Sequence, residues 1–288
     1  MTLALPSAPY RHWCLVLAML ATILLATDTR AAARIAVLDP GHAEILEALG
    51  AGERLVLVPD DPALAGELPH AARYQRQPSA EGLLAHTPEL LVGGNPQRDA
   101  ALLEQAERLG IARVMLERTL PAVTRVQRLA ALVDRRERGQ ALVARIEAGY
   151  ASADALSDGR PAVRVLHLSS SGAGATGSVT GAGASTSADA LIRRAGGLNV
   201  GAEAGLDRYQ TLSAEGVMAM APEAVLVSRH ELPALGGAAG IWDAVPGLAH
   251  TPAARQRHLV VLDHAAVKFD GASSGRASHA LAEALHSP

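Results

Sequence analysis

Two copies of one short stretch decide how this sequence is divided. Residues 73–82 read RYQRQPSAEG, and residues 208–216 read RYQTLSAEG. Each copy runs on to a Pro-Glu pair and an apolar segment, PELLV at 88–92 and PEAVLV at 222–227. Two copies are too few for a solenoid, which needs more repeats to bury its core. The duplication therefore predicts two similar lobes.

Short apolar runs alternate with helical patterns around both copies. We expect strands near 34–38, 55–58, 90–92, 112–116, 163–168, 224–228 and 259–262. We expect helices near 79–87, 98–109, 188–195, 213–220 and 277–286. Strands that alternate with helices of this size are typical of βα units around parallel sheets. The fold class is therefore α/β.

Residues 120–150 have a different pattern, because apolar side chains recur there at spacings of three and four. Gly139 weakens a helix without ending it. The pattern predicts one long α-helix, about 45 Å in length, that joins an N-terminal lobe (34–118) to a C-terminal lobe (153–288) across residues 119–152. Because open α/β sheets bind ligands beyond the carboxyl ends of their strands, facing lobes would form a cleft.

The N-terminus has the pattern of a secretory signal peptide. Arg11 and His12 precede an apolar run at 13–26, and three alanines follow at 31–33. The run is shorter than the roughly 20 residues that a spanning helix needs, although an uncleaved anchor is the alternative. We expect residues 1–33 to be removed in export to the periplasm. Cys14 would leave with them, so the mature chain would have no thiol.

Composition and motifs argue against several functional classes. Residues 34–288 carry 24 basic and 28 acidic side chains, which disfavours nucleic acid as a partner. The sequence has no His-Glu-x-x-His motif and no Gly-x-Ser-x-Gly elbow directly after a predicted strand, and its eleven histidines are scattered. The glycine-rich stretch 171–187 lacks the Gly-Lys-Ser/Thr ending of a phosphate loop, so we interpret it as a cleft-side loop. A hydrolase, a transferase or a zinc carrier is therefore disfavoured, and we expect no enzymatic activity.

Tyr74 is the candidate metal ligand. It precedes the helix predicted at 79–87, on the side where a lobe would face the cleft. A phenolate is a hard oxygen donor, and tyrosine is one of the axial ligands of haem. Iron and a neighbouring cation lower the phenol pKa from its reference value of about 10. Arg73 and Arg76 flank the position, and Arg76 shares its face in an extended chain. A half-buried loop tyrosine is the alternative.

Residues 74–84, Tyr-x-Arg-x-x-Ser-Ala-Glu-Gly-Leu-Leu, resemble the iron-ligand segment of periplasmic haem-binding proteins of bacterial haem ABC importers, which are helix-linked (class III) binding proteins. The resemblance extends to the stretches 50–56, 188–192 and 246–253. It implies two Rossmann-like lobes, one connecting helix, little hinge motion and haem held by one tyrosinate. Arg73 is a departure, because the family usually has glycine there.

The resemblance also implies roles for individual residues. Tyr74 matches the ligand, Arg76 matches the adjacent arginine, and Arg276 is a candidate partner for a haem propionate or for the phenolate. By the internal repeat, Tyr209 would face the cleft and stack on the porphyrin, with packing at the helix entry as the alternative. His167 falls inside a predicted strand, where we interpret it as a satisfied core histidine.

The family docks on its permease through one acidic residue in each lobe, and the matching candidates are Glu231 and Asp99, with solvated surface carboxylates as the alternative. The implied partners are haem, an inner-membrane ABC permease and, as a further candidate, an outer-membrane haem receptor system. The alternative cargo is cobalamin or a ferric siderophore. Neither needs a protein tyrosinate, because both metals arrive already chelated.

Overall fold

The fold is given by a computed structural model, which describes residues 32–170 and 179–287. The predicted signal peptide lies outside the described residues except for Ala32 and Ala33. Residues 171–178 of the predicted cleft-side loop lie outside them as well.

The first lobe is a parallel sheet with helices on both faces. Its five strands lie in the order β3-β2-β1-β4-β5, and every neighbouring pair is parallel. The strands are β1 (Ile35–Val37), β2 (Leu55–Pro59), β3 (Ala72–Tyr74), β4 (Leu90–Gly93) and β5 (Ala112–Met115). The helices are α1 (Pro40–Ala48), α2 (Ala80–Ala85) and α3 (Pro96–Arg108).

Alternation along β1 divides the core of this lobe in two. Ile35 and Val37 belong to one apolar cluster and Ala36 and Leu38 to another, because successive side chains of a strand point to opposite faces. Both faces are therefore buried, which is why the strands are apolar throughout.

The second lobe has a six-stranded sheet that is only partly parallel. Its order is β11-β10-β6-β7-β9, with β8 on β6. The strands are β6 (Val163–Ser169), β7 (Thr180–Ala182), β8 (Gly197–Asn199), β9 (Tyr209–Thr211), β10 (Ala224–Ser228) and β11 (Leu259–Leu262). The prediction of parallel sheets was wrong for β7, which runs antiparallel to both β6 and β9.

Helices cover this second sheet as well. They are α6 (Ser187–Arg194), α7 (Val200–Glu203), α8 (Ala214–Met220), α9 (Gly237–Ala244), α10 (Pro252–Gln256), α11 (His264–Lys268) and α12 (Ser274–His286). Two apolar clusters again lie on the two faces of the sheet. The α/β class is confirmed.

The duplicated sequence forms the same local structure in each lobe. Tyr74 ends β3 and Tyr209 begins β9, and each strand leads to a short helix capped by serine. The Ser79 hydroxyl accepts from the Gly82 amide at 3.1 Å, and the Ser213 hydroxyl accepts from the Gly216 amide at 3.0 Å. Such caps satisfy amides that have no partner within the helix.

The prediction of one long connecting helix was wrong. The segment forms two helices, α4 (Ala122–Leu132) and α5 (Arg136–Ser157). Asp134 separates them with φ of 53°, in the left-handed region. The Arg135 amide donates to Ala130 and the Asp134 amide to Ala131, which is the Schellman pattern of a helix end. Aspartate adopts this conformation more readily than most residues.

Gly139 explains why the two helices fold against each other. A Cβ atom there would lie 2.4 Å from the Cβ of Ala130, so only glycine permits this approach of α5 to α4. Apolar spacing continues across the break because both helices pack on the core of the first lobe.

The helix that links the two cores is α5. Leu142 and Ile146 lie in the core of the first lobe, and Ala153 lies in that of the second. The helix packs along α12, where Gly149 meets Gly275: a Cβ on Gly149 would lie 2.4 Å from the Gly275 carbonyl carbon. At 22 residues α5 is about 33 Å long, which suits a link between lobes.

Buried polar contacts also tie the lobes together. Arg125 on α4 is fully buried and donates to the carbonyls of Phe269 (3.2 Å) and Asp270 in the second lobe. Glu44 on α1 accepts from the amides of Ala272 (3.1 Å) and Ser273 (3.2 Å). Within residues 32–170 and 179–287, no helix has both the length and the apolar character needed to cross a bilayer.

Candidate binding cleft

The carboxyl ends of the first-lobe strands open onto a cleft of about 880 Å³, which the start of β9 and the segments after β7 and β11 line from the second lobe. The first lobe contributes Leu38, Pro59, Tyr74, Gly94, Arg98 and Arg118 to its lining. The second lobe contributes Ser185, Arg193, Arg208, Tyr209, His264 and Lys268. The volume lies in the range of cofactor sites, which is about 300–1,000 Å³.

Tyr74 lies on the first-lobe wall of this cleft. Its half-buried ring packs against the apolar cluster of Ala36, Leu38 and Leu83, and its hydroxyl donates to the Val37 carbonyl at 3.3 Å. Burial raises the pKa of the phenol above its ordinary value, while the positive charge of Arg98 opposes that rise. The phenol is therefore held protonated by its surroundings, in a place where a cleft ligand can reach it.

Arg98, which sequence reasoning missed, is the arginine that lies near this phenol. It stands in the first turn of α3, where its Nη2 donates to the Leu38 carbonyl and its Nε to Asp99, each at 2.8 Å. Arg76, the predicted neighbour, is exposed and does not line the cleft. Arg98 lies 24 positions after Tyr74 in the sequence. Only the packing of α3 against the sheet brings the two residues together, so no local sequence signal could have identified Arg98.

Asp39 and His42 form a buried polar group at the start of α1. The Asp39 carboxylate caps the helix by accepting from the His42 amide at 3.2 Å, and Arg118 Nε lies 3.7 Å from it. Burial lowers the pKa of the His42 imidazole to about 4. Neither imidazole nitrogen of His42 has a hydrogen-bond partner among the described residues.

Tyr209 lies on the opposite wall, so the predicted placement at the cleft agrees with the structure. The Lys268 ammonium lies 4.5 Å from the centre of its ring, and the ring of His167 meets it edge-on with the centroids 5.7 Å apart. A cation over an aromatic face is attracted by the ring quadrupole. Tyr209 remains about one-third exposed, at 36%.

Lys268 is part of a buried ionic network. Its ammonium lies 3.1 Å from Glu231 and donates to the Ser169 hydroxyl at 2.7 Å. Ser169 and Ser228 also donate to the Glu231 carboxylate, at 2.5 and 2.9 Å. Burial lowers the pKa of Lys268, and the neighbouring carboxylate of Glu231 opposes that shift.

Each predicted docking carboxylate is buried, which corrects both assignments. Asp99 is 0% exposed, and its carboxylate accepts from the amides of Gly94 and Asn95 at 2.8 Å each. Glu231 is 3% exposed within the network described above. A carboxylate that docks on another protein has to reach that protein's surface, so neither residue is suited to the role.

Arg276 and His167 were further candidates from the sequence. Arg276 is exposed on α12 and is not among the residues that line the cleft, and its assignment to a propionate stays a prediction. His167 is fully buried in β6, as expected, but it is not satisfied: among the described residues neither ring nitrogen has a hydrogen-bond partner. Burial lowers its pKa well below the usual value.

One contact spans the mouth of the cleft. His264 Nε2 of the second lobe lies 3.9 Å from the Asp61 carboxylate of the first. The same imidazole meets Ser228 at 3.0 Å through Nδ1. Burial lowers the pKa of His264, so the ring is neutral near pH 7 and the contact is weak there.

Among the described residues, no group of three or more histidine, cysteine, aspartate or glutamate side chains is placed to hold a metal ion. The walls offer instead phenol groups, cations and apolar surface. Two α/β lobes joined by a helix, with a cleft between them, define a two-lobed binding protein.

The comparisons agree with this class. The family model described as periplasmic binding protein matches residues 35–266. The chain belongs to the periplasmic binding protein family.

Two solved structures are similar over most of the chain. The periplasmic haem-binding protein RhuT of Roseiflexus sp. RS-1 is 32% identical, covers 88% of this chain and 97% of its own, and superposes with a TM-score of 0.74. The periplasmic haem-binding protein HutB of Vibrio cholerae is 28% identical, covers 88% and 99%, and has a TM-score of 0.73.

Curated relatives match over a shorter region. Vitamin B12-binding protein of Yersinia pestis is 39% identical over 100 residues, which is 33% of this chain and 34% of the relative. The match therefore spans about one third of that relative's length.

Proposed function

We propose that this protein binds haem in the cleft between its lobes, with the Tyr74 phenolate as ligand to ferric iron, and delivers it to an inner-membrane ABC importer. The observation that carries the proposal is the position of Tyr74 at the carboxyl end of β3, on the cleft wall and beside Arg98. Similar solved structures are named as haem-binding proteins, which supports haem as the cargo.

The cleft offers each part of haem a matching surface. Apolar walls around Leu38 and Phe269 would cover the porphyrin faces and supply most of the affinity. Arg118, Arg193 and Arg208 line the cleft and would pair with the propionates. Tyr209 would stack on the porphyrin from the second lobe.

Titration of the purified mature protein with hemin tests the cargo. We expect a saturable shift of the Soret band with one ferric tyrosinate spectrum, and the loss of that spectrum in Tyr74→Ala. An unchanged ferric spectrum in Tyr74→Ala would eliminate the ligand assignment. Tyr150→Ala is the matched control, because Tyr150 lies outside the cleft lining and bonds to Ser274 at 2.9 Å.

Cobalamin is the second candidate cargo, because the curated relatives are named vitamin B12-binding proteins. Cobalamin brings a metal that its own ring already chelates, so binding would not depend on the Tyr74 oxygen. Competition between hemin and cyanocobalamin separates the two. We expect excess cyanocobalamin to leave the Soret band unchanged, and displacement of hemin would favour the alternative.

The duplication suggests which carboxylates dock on the permease, now that Asp99 and Glu231 are known to be buried. Glu81 on α2 and Glu215 on α8 occupy matching positions in the two copies, and both are exposed. One turn further on, Leu84 (44% exposed) and Met218 (41%) also match. We propose that these two patches meet the two halves of the importer.

Transport measurements test this surface. Glu81→Lys and Glu215→Lys should each reduce haem-dependent growth or uptake severalfold, and more strongly together, while hemin affinity stays unchanged. Glu104→Lys, on an exposed position of α3, serves as the charge-reversal control. Wild-type uptake in the double variant would rule out this docking surface.

The exported state is part of the proposal. We propose that residues 1–33 direct the chain to the periplasm and are then removed. Mass spectrometry of protein from the periplasmic fraction should find a mature form that begins near Arg34. Recovery of the intact chain only from the membrane fraction would instead identify an uncleaved anchor.

A further inference from the structure

The contact between Asp61 and His264 joins a turn of the first lobe to the start of α11 in the second. His264 Nε2 lies 3.9 Å from the Asp61 carboxylate, and both residues line the cleft. The His264 side chain is 12% exposed and that of Asp61 is 19% exposed. The distance is too long for a hydrogen bond and close enough for an ion pair, so the contact depends on the charge of the ring.

Hydrogen bonds within the second lobe determine which nitrogen of His264 carries a hydrogen. Ser228 donates its hydroxyl hydrogen to the Glu231 carboxylate at 2.9 Å. The hydroxyl can therefore only accept from His264 Nδ1, which lies 3.0 Å away. Because a neutral imidazole has one N–H, and here it is on Nδ1, Nε2 presents a lone pair to the Asp61 carboxylate. The neutral ring is therefore not attracted to the first lobe.

A proton on Nε2 reverses this contact. An imidazolium donates from both nitrogens, so the bond to Ser228 is kept while Nε2–H faces Asp61. The 3.9 Å approach can then shorten to a charge-assisted hydrogen bond of about 2.8 Å. The Asp61 carboxylate is already held in place, because it accepts from the Ala63 amide at 2.9 Å. A carboxylate oxygen has room for a second donor.

The groups that act on the His264 ring come from both lobes. Burial lowers the pKa of His264 most. Asp61 and Glu231 raise this pKa, whereas Lys268 and His230 lower it. Glu231, His230 and Lys268 belong to the second lobe and stay beside the ring if the mouth opens. Asp61 belongs to the first lobe, so it is the charge that His264 loses on opening.

We infer that Asp61 and His264 form a latch that a proton tightens across the mouth of the cleft. At neutral pH the two side chains meet without attraction, and in acid an ion pair joins the lobes there. The latch is a property of the cargo-free protein and does not depend on what the cleft carries.

The proton has a different effect on the stability of the whole fold. Burial keeps the pKa of His264 below that of a histidine in the unfolded chain, so protonation still lowers the free energy of unfolding in acid. The latch concerns the balance between the closed and open mouth of the folded protein, in which most of the burial is unchanged.

The titration of His264 tests the inference. Isotope-labelled histidine is followed by NMR in the purified protein without cargo between pH 4 and 9, with His264→Gln to assign the signal. Asp61→Asn removes the charge and keeps the cap of the turn, because asparagine caps as well as aspartate does. An opposite charge at this range shifts a pKa by about 1–3 units. We expect Asp61→Asn to lower the pKa of His264 by about one unit.

Asp263→Asn is the matched control. Asp263 precedes His264 in the chain, but it is exposed and pairs with Arg229 at 3.2 Å. This variant should leave the pKa of His264 unchanged. An unchanged pKa in Asp61→Asn, or an equally large drop in Asp263→Asn, would overturn the inference.

Hydrogen exchange of the turn after Asp61 measures the closure itself. A difference of one pKa unit between the closed and open mouth favours closure by up to about tenfold in acid. After correction for the intrinsic exchange rate, the protection of amides 63–67 should rise severalfold from pH 8 to pH 5 in wild type. It should not rise in Asp61→Asn or His264→Gln. Protection that is constant or falls in wild type, or that rises equally in both variants, would contradict the latch.

Discussion

Tyr74 and Tyr209 come from the two copies of one sequence, yet they lie in different chemical surroundings. Each lies at one end of a strand, precedes a serine-capped helix and lines the cleft. The phenol oxygen of Tyr74 bonds to the Val37 carbonyl. The ring of Tyr209 lies beneath the Lys268 ammonium and beside His167.

Burial and neighbouring charges act on the pKa of both phenols in the same directions. For Tyr74 burial raises the phenol pKa and the cation Arg98 opposes the rise. For Tyr209 burial also raises it, the carboxylate of Glu231 raises it further, and the cation Arg118 opposes the rise. The charged neighbours therefore do not distinguish the two phenols; what differs is the bond of the Tyr74 oxygen to Val37 and the Lys268 ammonium over the Tyr209 ring.

The repeat thus determines the position of each tyrosine, whereas segments outside the repeat supply a cation near it. Arg98 belongs to α3, and Lys268 belongs to α11; neither is part of the duplicated stretch. Arg98 in the first lobe is half exposed, whereas Lys268 in the second lobe is 11% exposed and paired with Glu231. The exposure of Arg98 suits a ligand site, and the burial of Lys268 suits a structural role.

The comparison predicts that Lys268 stabilises the fold. Lys268→Met removes the positive charge 3.1 Å from the Glu231 carboxylate, and both side chains are buried. Removing one member of a buried pair costs about 3 kcal/mol or more of unfolding free energy. Urea unfolding at pH 7 measures this loss.

Two further variants serve as controls for that measurement. Lys268→Met with Glu231→Gln should recover most of the stability, because no buried charge is then left over. Arg98→Met should cost only about 1 kcal/mol, since Arg98 is half exposed and the buried Asp99 carboxylate keeps its two amide donors. Similar losses in the two single variants would remove the distinction between the lobes.

Acid should destabilise both lobes through their buried histidines. The unfolded chain has an imidazole pKa near 6.5, and the folded state holds that of His42 at about 4. As the pH falls below 6.5, the unfolded state takes up a proton that the folded state excludes. Stability is therefore complete above pH 6.5 and falls toward pH 4, by about 2 kcal/mol at pH 5 from His42 alone.

Matched substitutions separate the two contributions. In urea unfolding, the free energy of unfolding of His42→Met should fall by about 2 kcal/mol less than that of wild type between pH 7 and pH 5. His167→Met should also lose less stability in acid than wild type does, because burial lowers the pKa of His167 as well. An acid dependence equal to that of wild type in both variants would contradict the account.

Removal of the Tyr209 hydroxyl should have the smallest effect. Tyr209→Phe keeps the ring that contacts Lys268 and His167, so its stacking surface is intact. We expect hemin affinity to change by less than about threefold, which is about 0.7 kcal/mol of binding free energy, because the ring still stacks on the porphyrin. A loss as large as that of a Tyr74 variant would place the iron ligand in the second lobe.

Local signals in the sequence were sufficient for most of the fold. The strands predicted at 224–228 and 259–262 have the same bounds in the structure, because compact apolar runs end there at polar residues. The caps Ser79 and Ser213 were recognisable from residue type alone. The break at Asp134 was missed because apolar spacing continues through it, without proline or glycine at the turn.

The candidate site was harder to predict, because it depends on contacts between distant segments. Arg98 reaches the end of β1 only through the packing of α3. The burial of Asp99 depends on amides of the loop after β4, and that of Glu231 on hydroxyls at the ends of β6 and β10, which are brought together only by the fold. Strand β7 was missed because its short Thr-Gly-Ala run lies within the glycine-rich stretch 171–187, which was interpreted as a loop.

Resonance Raman spectroscopy of the ferric haem complex tests the central claim most directly. The account predicts phenolate vibrations of an iron-bound tyrosine in wild type and in Tyr209→Phe, and their absence in Tyr74→Phe. Phenolate vibrations that persist in Tyr74→Phe, or that vanish in Tyr209→Phe, would contradict it.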